Sequence, residues 1–344
     1  MGEKILVTGG TGYIGSHTVV ELQQNGFEVV VIDNLSNSTA TIVDQIGRIS
    51  GKKPRFYELD LCNEAALRVF FRENHDLAGV IHFAAYKAVG ESVEFPLKYY
   101  HNNLVSLLNL LRFMEEFEVP NMVFSSSCTV YGQPEVLPVT EQAPVKKAFS
   151  PYGNTKQISE EIIEDTVNSS ALKAISLRYF NPIGAHESGL IGELPIGIPN
   201  NLVPFITQTA IGKRQKLMVF GNDYDTPDGT AIRDYIHVVD LAKAHVVAIS
   251  RLLKGIHKES LEVYNLGTGK GTSVMEAIMA FERVTGMKLP YEITSRRTGD
   301  VPRVWADTTL ANLKLGWRAE KSLDEMMASA WMWEKNLAAG ILEF

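Results

Sequence analysis

Tyr152 and Lys156 are the residues of this sequence whose types and spacing most directly suggest chemistry. Residues four apart in a helix lie on one face, so the phenol and the ammonium would be neighbours. A free tyrosine has a pKa of about 10, and lowering it by about three units, for work as a base near pH 7, requires roughly 4 kcal/mol. A neighbouring cation supplies part of that stabilisation. The pair therefore predicts a proton-transfer site.

The residues around this pair favour a functional role over a chance match on a helix surface. Pro151 begins the predicted helix 151–168, and the strand before that helix ends in three serines, residues 125–127. Ligands of parallel α/β sheets bind at the carboxyl ends of the strands. Ser127 is best placed to bridge a substrate oxygen and the phenol, so we predict that Tyr152, Lys156 and Ser127 are catalytic.

A glycine-rich turn after the first predicted strand indicates a dinucleotide site. Gly10, Gly12 and Gly15 fit G-x-G-x-x-G, and Gly9, Gly12 and Gly15 fit G-x-x-G-x-x-G. Glycines let backbone N–H groups approach a pyrophosphate, and the following helix directs its positive end at the anion. The second strand ends at Asp33, where a carboxylate can accept hydrogen bonds from the ribose hydroxyls. It would repel a 2′-phosphate, which favours NAD over NADP.

The elements that must position these residues alternate between short apolar strands and helices. The predicted strands are 4–7, 28–32, 55–58, 79–83, 121–124 and 174–179, and the predicted helices are 15–25, 64–73, 97–116 and 151–168. This alternation predicts an α/β fold, a Rossmann-type doubly wound parallel sheet, as the NAD-binding domain over 1–180. A smaller mixed α/β substrate domain is expected over 181–344. Residues 233–239 predict a strand, and part of 234–265 is expected to pack back on the first domain.

Composition excludes several classes of protein. A chain of 344 residues with a net charge of −7 has no basic run longer than two residues, so we expect no nucleic-acid partner. No apolar run approaches the roughly 18 residues of a membrane span, and we expect no membrane partner. The chain has only two cysteines and an N-terminal segment without the layout of a signal peptide. We therefore expect a cytoplasmic protein, and we predict no metal site.

Longer segments resemble the extended short-chain dehydrogenases/reductases, and within them the UDP-glucose 4-epimerase branch. They include VTGG at 7–10, HFAA at 82–85, FSSSCTVYG at 124–132, RYFNP at 178–182, PNNL at 199–202 and RDYIH at 233–237. These segments cover essentially the whole chain in order. The resemblance implies NAD as the cofactor, a UDP-sugar as the substrate and a homodimer as the assembly.

The resemblance also implies roles by position. The implied cofactor-binding residues are Gly9, Gly12, Tyr13, Ile14, Gly15, Asp33, Asn34, Ser38, Asp60, Leu61, Phe83, Ala84, Lys87, Asn102, Lys156 and Phe180. The implied substrate-binding residues are Lys87, Ser127, Tyr152, Tyr179, Asn181, Asn201, Leu202, Leu217, Val219, Phe220, Arg233, Arg297, Asp300 and Val304. Arginines suit a diphosphate, and an aspartate suits ribose hydroxyls. Asp60 has a second interpretation, since a carboxylate after a strand can also cap a helix.

The activity implied by the resemblance is reversible inversion of carbon 4 in UDP-galactose and UDP-glucose, through a 4-keto sugar, with NAD recycled in each turnover. Val304 stands where this family often has tyrosine, which leaves UDP-N-acetylhexosamines open as substrates. A nucleotide-sugar 4,6-dehydratase is one alternative, although Cys128 and Thr129 stand where such enzymes carry Asp-Glu. An NADP-dependent epimerase–reductase is another, and Asp33 argues against its cofactor. A non-catalytic NAD-sensing module would not need both Tyr152 and Lys156.

Overall fold

A computed structural model describes residues 2–297 and 301–342 of the chain. Asp300, one of the predicted substrate residues, lies outside the described residues. The strands are β1 (Lys4–Thr8), β2 (Glu28–Asp33), β3 (Arg55–Glu58), β4 (Leu77–His82), β5 (Asn121–Ser127), β6 (Lys173–Tyr179), β7 (Asn181–Ile183), β8 (Leu217–Phe220), β9 (Ile232–Arg233), β10 (Tyr235–His237), β11 (Leu261–Leu266), β12 (Thr272–Ser273), β13 (Tyr291–Thr294) and β14 (Arg303–Val304).

The helices lie between these strands. They are α1 (Tyr13–Gln24), α2 (Thr41–Ser50), α3 (Glu64–Glu73), α4 (Val89–Glu94), α5 (Pro96–Tyr100), α6 (Ser106–Glu116), α7 (Pro151–Ser169), α8 (Leu202–Ala210), α9 (Val238–Leu253), α10 (Val274–Thr285) and α11 (Leu323–Ala338). A π-helical segment, His101–Val105, joins α5 to α6, and a 3₁₀ turn, Cys128–Tyr131, follows β5. None of the described helices is long and apolar enough to cross a lipid bilayer.

Seven of the described strands form one parallel sheet in the order β11-β6-β5-β4-β1-β2-β3. The strand order reverses between β1 and β4, which pair directly. Alternating residues of β1 face opposite sides of the sheet: Ile5 and Val7 lie in one apolar layer and Leu6 in the other. The predicted Rossmann-type, doubly wound parallel sheet is confirmed. In such sheets the reversal point opens a crevice at the carboxyl edge, which is where ligands bind.

The later part of the chain contributes to this sheet and also forms a third apolar cluster. Helix α9 contacts α1, and β11 pairs with β6 at the sheet edge. The third cluster joins residues of α8, β8, α10 and α11, with β8 and β13 paired as parallel strands. The division at residue 180 remains a prediction, and the chain crosses between the two regions more than once.

Residues 233–239 do not form the single strand that the sequence predicts. They divide into β9, β10 and the start of α9. Asp234 separates the two strands, and its fully buried carboxylate accepts hydrogen bonds from the backbone N–H groups of Thr268, Gly269 and Ala306. A side chain that must reach three amides of distant segments turns the backbone locally, and local sequence pattern carries no sign of those partners.

Candidate active site at the carboxyl edge of the sheet

Tyr152 lies in the first turn of α7, where local sequence fixes the helix start. The Ser150 hydroxyl accepts a hydrogen bond from the Gly153 N–H at 3.1 Å, and Pro151 occupies the first turn, as expected for a capped helix. The Tyr152 side chain is 8% exposed. The Tyr152 phenol is therefore held by a capped helix end and has little contact with solvent.

Lys156 is held one turn further along α7. Its Nζ donates to the Ser125 carbonyl oxygen at 2.7 Å and lies 4.8 Å from the centre of the Phe124 ring. Burial lowers the pKa of Lys156 to about 8, although the charge of Glu160 acts in the opposite direction. The ammonium is thus close to its titration point at neutral pH.

Burial of Tyr152 disfavours the ionised form of its phenol. Burial raises its pKa well above its usual range, and a side-chain hydrogen bond with Ser127 opposes that rise. A phenol that acts as a base here therefore needs additional positive charge nearby. A nicotinamide cation at this sheet edge, as the glycine-rich turn predicts, has the required sign.

The three serines at the end of β5 have different partners. The Ser125 hydroxyl lies 2.7 Å from the Tyr179 hydroxyl, and the Ser126 hydroxyl donates to Glu160 at 2.6 Å. The Ser127 hydroxyl accepts from the Thr129 N–H at 3.2 Å and caps the 3₁₀ turn. Only Ser127 among the three forms a hydrogen bond with the Tyr152 phenol. The structure thus places the third predicted catalytic residue beside the first.

The β1–α1 turn has the shape of a dinucleotide cradle. Gly9 has a φ of +71°, and a Cβ there would lie 2.8 Å from the Ala84 nitrogen. A Cβ on Gly15 would lie 2.2 Å from the Gly9 carbonyl oxygen. Gly12 caps α1 without a side-chain hydrogen bond to the first turn. Bare backbone and an uncapped helix N-terminus fit a pyrophosphate.

Asp33 lies directly beside this turn. Its Oδ2 accepts from the Thr11 N–H at 3.2 Å, and its Oδ1 accepts from the Leu35 N–H and the Ser38 hydroxyl. These bonds fix the carboxylate at the carboxyl end of β2, where a ribose would meet it. The structure therefore brings the predicted acidic residue and the glycine-rich turn together, and the residues present fit NAD.

Asp60 pairs with Asn34 on the neighbouring strand ends. Its Oδ2 accepts from the Asn34 amide at 3.2 Å, and its Oδ1 accepts from the Cys62 N–H at 2.8 Å. Asn63, not Asp60, caps α3. Asp60 thus orders the turn after β3 and places Asn34, while its helix-capping interpretation is wrong.

The other predicted cofactor residues lie along the same edge. The Phe83 N–H donates to the Thr8 carbonyl, and the Phe180 N–H donates to the Leu266 carbonyl. Tyr13 and Ile14 begin α1, Ala84 and Lys87 follow β4, Leu61 follows β3, and Asn102 lies in the π-helical segment before α6. All of these residues except Asn102 lie at a strand end or in the segment that follows it, and Asn102 lies between α5 and α6.

The predicted substrate residues after position 180 come from β7, β8, β9, β14, the start of α8 and the segment after β13. Arg233 of β9 pairs with Val304 of β14, and the Asn181 N–H donates to the Asp234 carbonyl at 3.0 Å. The Arg297 guanidinium lies 4.5 Å from the centre of the Phe220 ring. Asn201 and Leu202 begin α8, and Leu217, Val219 and Phe220 belong to β8. Strand pairing thus brings Arg233 and Val304 together, and a cation–ring contact brings Arg297 and Phe220 together.

Sequence reasoning missed a buried ion pair behind the catalytic helix. Arg178 of β6 binds Glu160 through two hydrogen bonds of 2.9 and 2.6 Å, and it donates a third to the Tyr131 hydroxyl at 3.0 Å. Glu160 lies four residues after Lys156, so its place on the same face of α7 could have been inferred. Arg178 gave no such signal, because a single arginine in an apolar strand does not show which acid it meets.

A phenol and an ammonium at the end of β5, across from a glycine-rich β1–α1 turn, place the protein in the class of dinucleotide-dependent enzymes with a Rossmann-type sheet. Residues 5–267 match the model of the NAD dependent epimerase/dehydratase family. The chain belongs to that family.

Comparison with individual proteins gives similar chains of nearly equal length. The UDP-glucose 4-epimerase of Bacillus subtilis is 52% identical, with 98% of each chain covered. A solved UDP-glucose 4-epimerase of Stenotrophomonas maltophila, with bound NAD and formylated UDP-arabinopyranose, has a TM-score of 0.95 at 46% identity, covering 98% of this chain and 99% of that one. The enzyme of Bifidobacterium longum, in complex with NAD+ and UDP, has a TM-score of 0.93 at 47% identity, with the same coverage.

Proposed function

We propose that this protein interconverts UDP-galactose and UDP-glucose by inverting carbon 4 of the hexose, with NAD as its resident cofactor. The observation that carries this function is the Tyr152–Lys156 pair at the carboxyl end of β5, in the same sheet whose β1–α1 turn forms the glycine-rich cradle. Full-length similarity to UDP-glucose 4-epimerases, several of them solved with NAD, supports the same activity.

Three side chains move and hold the proton. Tyr152 takes the proton of the sugar 4-hydroxyl and later gives it back, as a general base and then a general acid. Ser127, hydrogen-bonded to the phenol, stabilises the oxygen at carbon 4 in both directions. Lys156 supplies positive charge on the same helix face. NAD supplies reversible hydride exchange with carbon 4, so that a 4-keto sugar lies between the two hexoses.

The remaining residues divide by their position on the crevice. We assign NAD binding to the predicted residues at the ends of β1, β2, β3 and β4, and UDP-sugar binding to those of β8, β9, β14 and the start of α8. Inversion requires the keto sugar to present its other face while UDP stays bound. Arg233 and Arg297 suit that anchoring role because guanidinium groups bind diphosphates with paired hydrogen bonds.

Turnover without added cofactor tests the function. Purified protein incubated with UDP-galactose should form UDP-glucose with no NAD supplied, and denaturing the protein should then release NAD. Product formation that stops after one equivalent, or that needs continuous NAD, would contradict a recycled cofactor.

Activity is expected to fall as the pH rises through about 8. Because burial lowers the pKa of Lys156 to about 8, the ammonium is present below that pH and lost above it. We expect kcat/KM for UDP-galactose to decline on this basic side. An arginine keeps its charge to much higher pH. We expect the Lys156→Arg variant to be less active than the native protein and to lack this decline. If kcat/KM of both proteins declined in the same way on the basic side, Lys156 would not be the titrating group.

Val304 is proposed to leave room for an N-acetylated sugar. It packs against the apolar cluster that contains Val130, Tyr131 and Phe180, and Cys128, the residue after the catalytic Ser127, packs against the same cluster. Val304→Tyr adds a phenol ring to this wall, and we expect kcat/KM for UDP-N-acetylgalactosamine to fall about tenfold or more, with a smaller loss for UDP-galactose. Steady-state assays on both sugars measure the ratio, and an unchanged ratio would remove the pocket-size argument.

We further propose a homodimer that works in the cytoplasm. Val93, Leu97 and Leu108, from α4, α5 and α6, are large apolar side chains that are at least half exposed. Such a face on neighbouring helices is suited to a second copy of the chain. Cys62 and Cys128 are both free, as in proteins of a reducing compartment. Sedimentation of the purified protein at the monomer mass would contradict the dimer.

A further inference from the structure

Glu193 lies between the two sides of the crevice. Its Oε1 accepts a hydrogen bond from the Asn201 amide at 2.6 Å and one from the Lys87 ammonium at 3.3 Å. Lys87, which is predicted to contact both ligands, follows β4 on the side assigned to NAD, and Asn201 caps α8 on the side assigned to UDP-sugar. One carboxylate oxygen therefore contacts both predicted ligand-binding surfaces.

The carboxylate is more buried than the lysine that it binds. The Glu193 side chain is 12% exposed, against 49% for Lys87. A carboxylate removed from water to this extent is stable only with partners that replace its hydration. Lys87 and Asn201 are those partners. When the carboxylate loses its bond to one of them, it depends more on its bond to the other.

The backbone of Glu193 is fixed independently of these contacts. The Trp333 indole of α11 donates to the Glu193 carbonyl oxygen at 2.9 Å, and Trp333 is itself buried. The segment is also attached to the glycine-rich side, since the Tyr13 hydroxyl donates to the Gly184 carbonyl at 2.6 Å. The main chain of Glu193 is thus held by a contact that is separate from those of its carboxylate.

Charges at this point are closely grouped. The Lys87 ammonium lies 5.9 Å from the centre of the Tyr13 ring, and burial, followed by the Glu193 charge, raises the pKa of Tyr13 well above its usual range. Tyr13 begins α1, directly after the cradle. The negative charge of Glu193 is thus felt at the start of the helix that faces the dinucleotide.

We propose that Glu193 is a positioning residue that couples the NAD side of the crevice to the UDP-sugar side, by holding Lys87 and Asn201 on one carboxylate. The inference rests on the proposed function for one point, the assignment of Lys87 to the NAD side and of Asn201 to the UDP-sugar side. When UDP engages Asn201, the carboxylate loses one partner and binds Lys87 more strongly. By reciprocity, a change at Lys87 changes the affinity for UDP.

The test is a double-mutant cycle read by UDP binding, which needs no turnover. The dissociation constant of UDP is measured by calorimetry for the holoenzyme, Lys87→Met, Asn201→Ala and the double variant, and again with Glu193→Gln in all four. In the native background we expect the two substitutions to be non-additive by a factor of about five to ten. With Glu193→Gln the factor should fall to about one.

Two further variants separate coupling from structure. Glu193→Asp keeps the charge and should recover part of the non-additivity. Glu187→Gln makes the same change at an exposed carboxylate of the same segment and should leave the factor as in the native protein. Additive effects in the native background, or equal factors with and without Glu193, would overturn the proposal even in an active epimerase. A holoenzyme that binds no UDP would overturn both this coupling and the proposed function.

Discussion

Replacing Tyr152 with Phe is expected to lower kcat for UDP-galactose by about 10³-fold while NAD stays bound. The change removes one oxygen from a side chain that is 8% exposed, so the ring should keep its place in the first turn of α7. No other side chain bonds Ser127 and shares a helix face with Lys156 in the described structure. The proton of the 4-hydroxyl then has no acceptor of suitable geometry.

The measurement is initial rate and NAD content on the same preparation. Tyr57→Phe is a matched control, because it removes a hydroxyl that accepts a hydrogen bond from Asn74 at the end of α3, and Tyr57 is not among the predicted site residues. We expect this variant to retain native activity. Turnover by Tyr152→Phe within about tenfold of the native rate would show that another group moves the proton.

Gly15→Ala is expected to produce protein with less than about a tenth of the native NAD content, and correspondingly low activity. The added Cβ would lie 2.2 Å from the Gly9 carbonyl oxygen and 2.9 Å from the Gly10 Cα. Both contacts are to backbone atoms, so no flexible side chain can give way. The β1–α1 turn must open, and opening moves the N–H groups that are proposed to contact the pyrophosphate.

Gly90→Ala is the matched control for this substitution. Gly90 lies in α4, and a Cβ there would meet nothing within 4 Å. Its NAD content, measured by absorbance after denaturation, should equal that of the native protein. A Gly15→Ala protein that also carries one NAD per chain would contradict the assignment of this turn to the cofactor.

Local sequence was sufficient for most of the first half of the fold. Strand β3 and helix α3 have the bounds that the sequence predicts. The bounds of β1, β2, β5 and β6 differ from the predicted ones by only a few residues. Buried parallel strands are short apolar runs, and glycine and proline often stand at helix ends. Both kinds of element can therefore be recognised from a few neighbouring residues. Helix α2 was missed, and the helix predicted over 97–116 consists of α5, the π-helical segment and α6 in succession.

The candidate site was determined by sequence only where the chemistry is local. The glycine-rich turn and the Tyr152–Lys156 spacing each lie within eight residues of chain, and so could be read without a fold. The pairing of Asp33 with this turn could be inferred as well, because consecutive strands of this fold end at one edge. The resemblance to a family supplied the other positions, whose roles remain predictions.

Tertiary structure alone decided which distant residues meet. It placed β11 next to β6, Arg233 next to Val304, and Glu193 between Lys87 and Asn201. Lys87 and Glu193 are 106 positions apart in the chain. Such contacts arise when packed layers bring separate segments together, and their energies depend on burial and on partners that no local pattern encodes. The sequence determined the catalytic pair and the cradle, whereas the fold decided how the two sides of the crevice are joined.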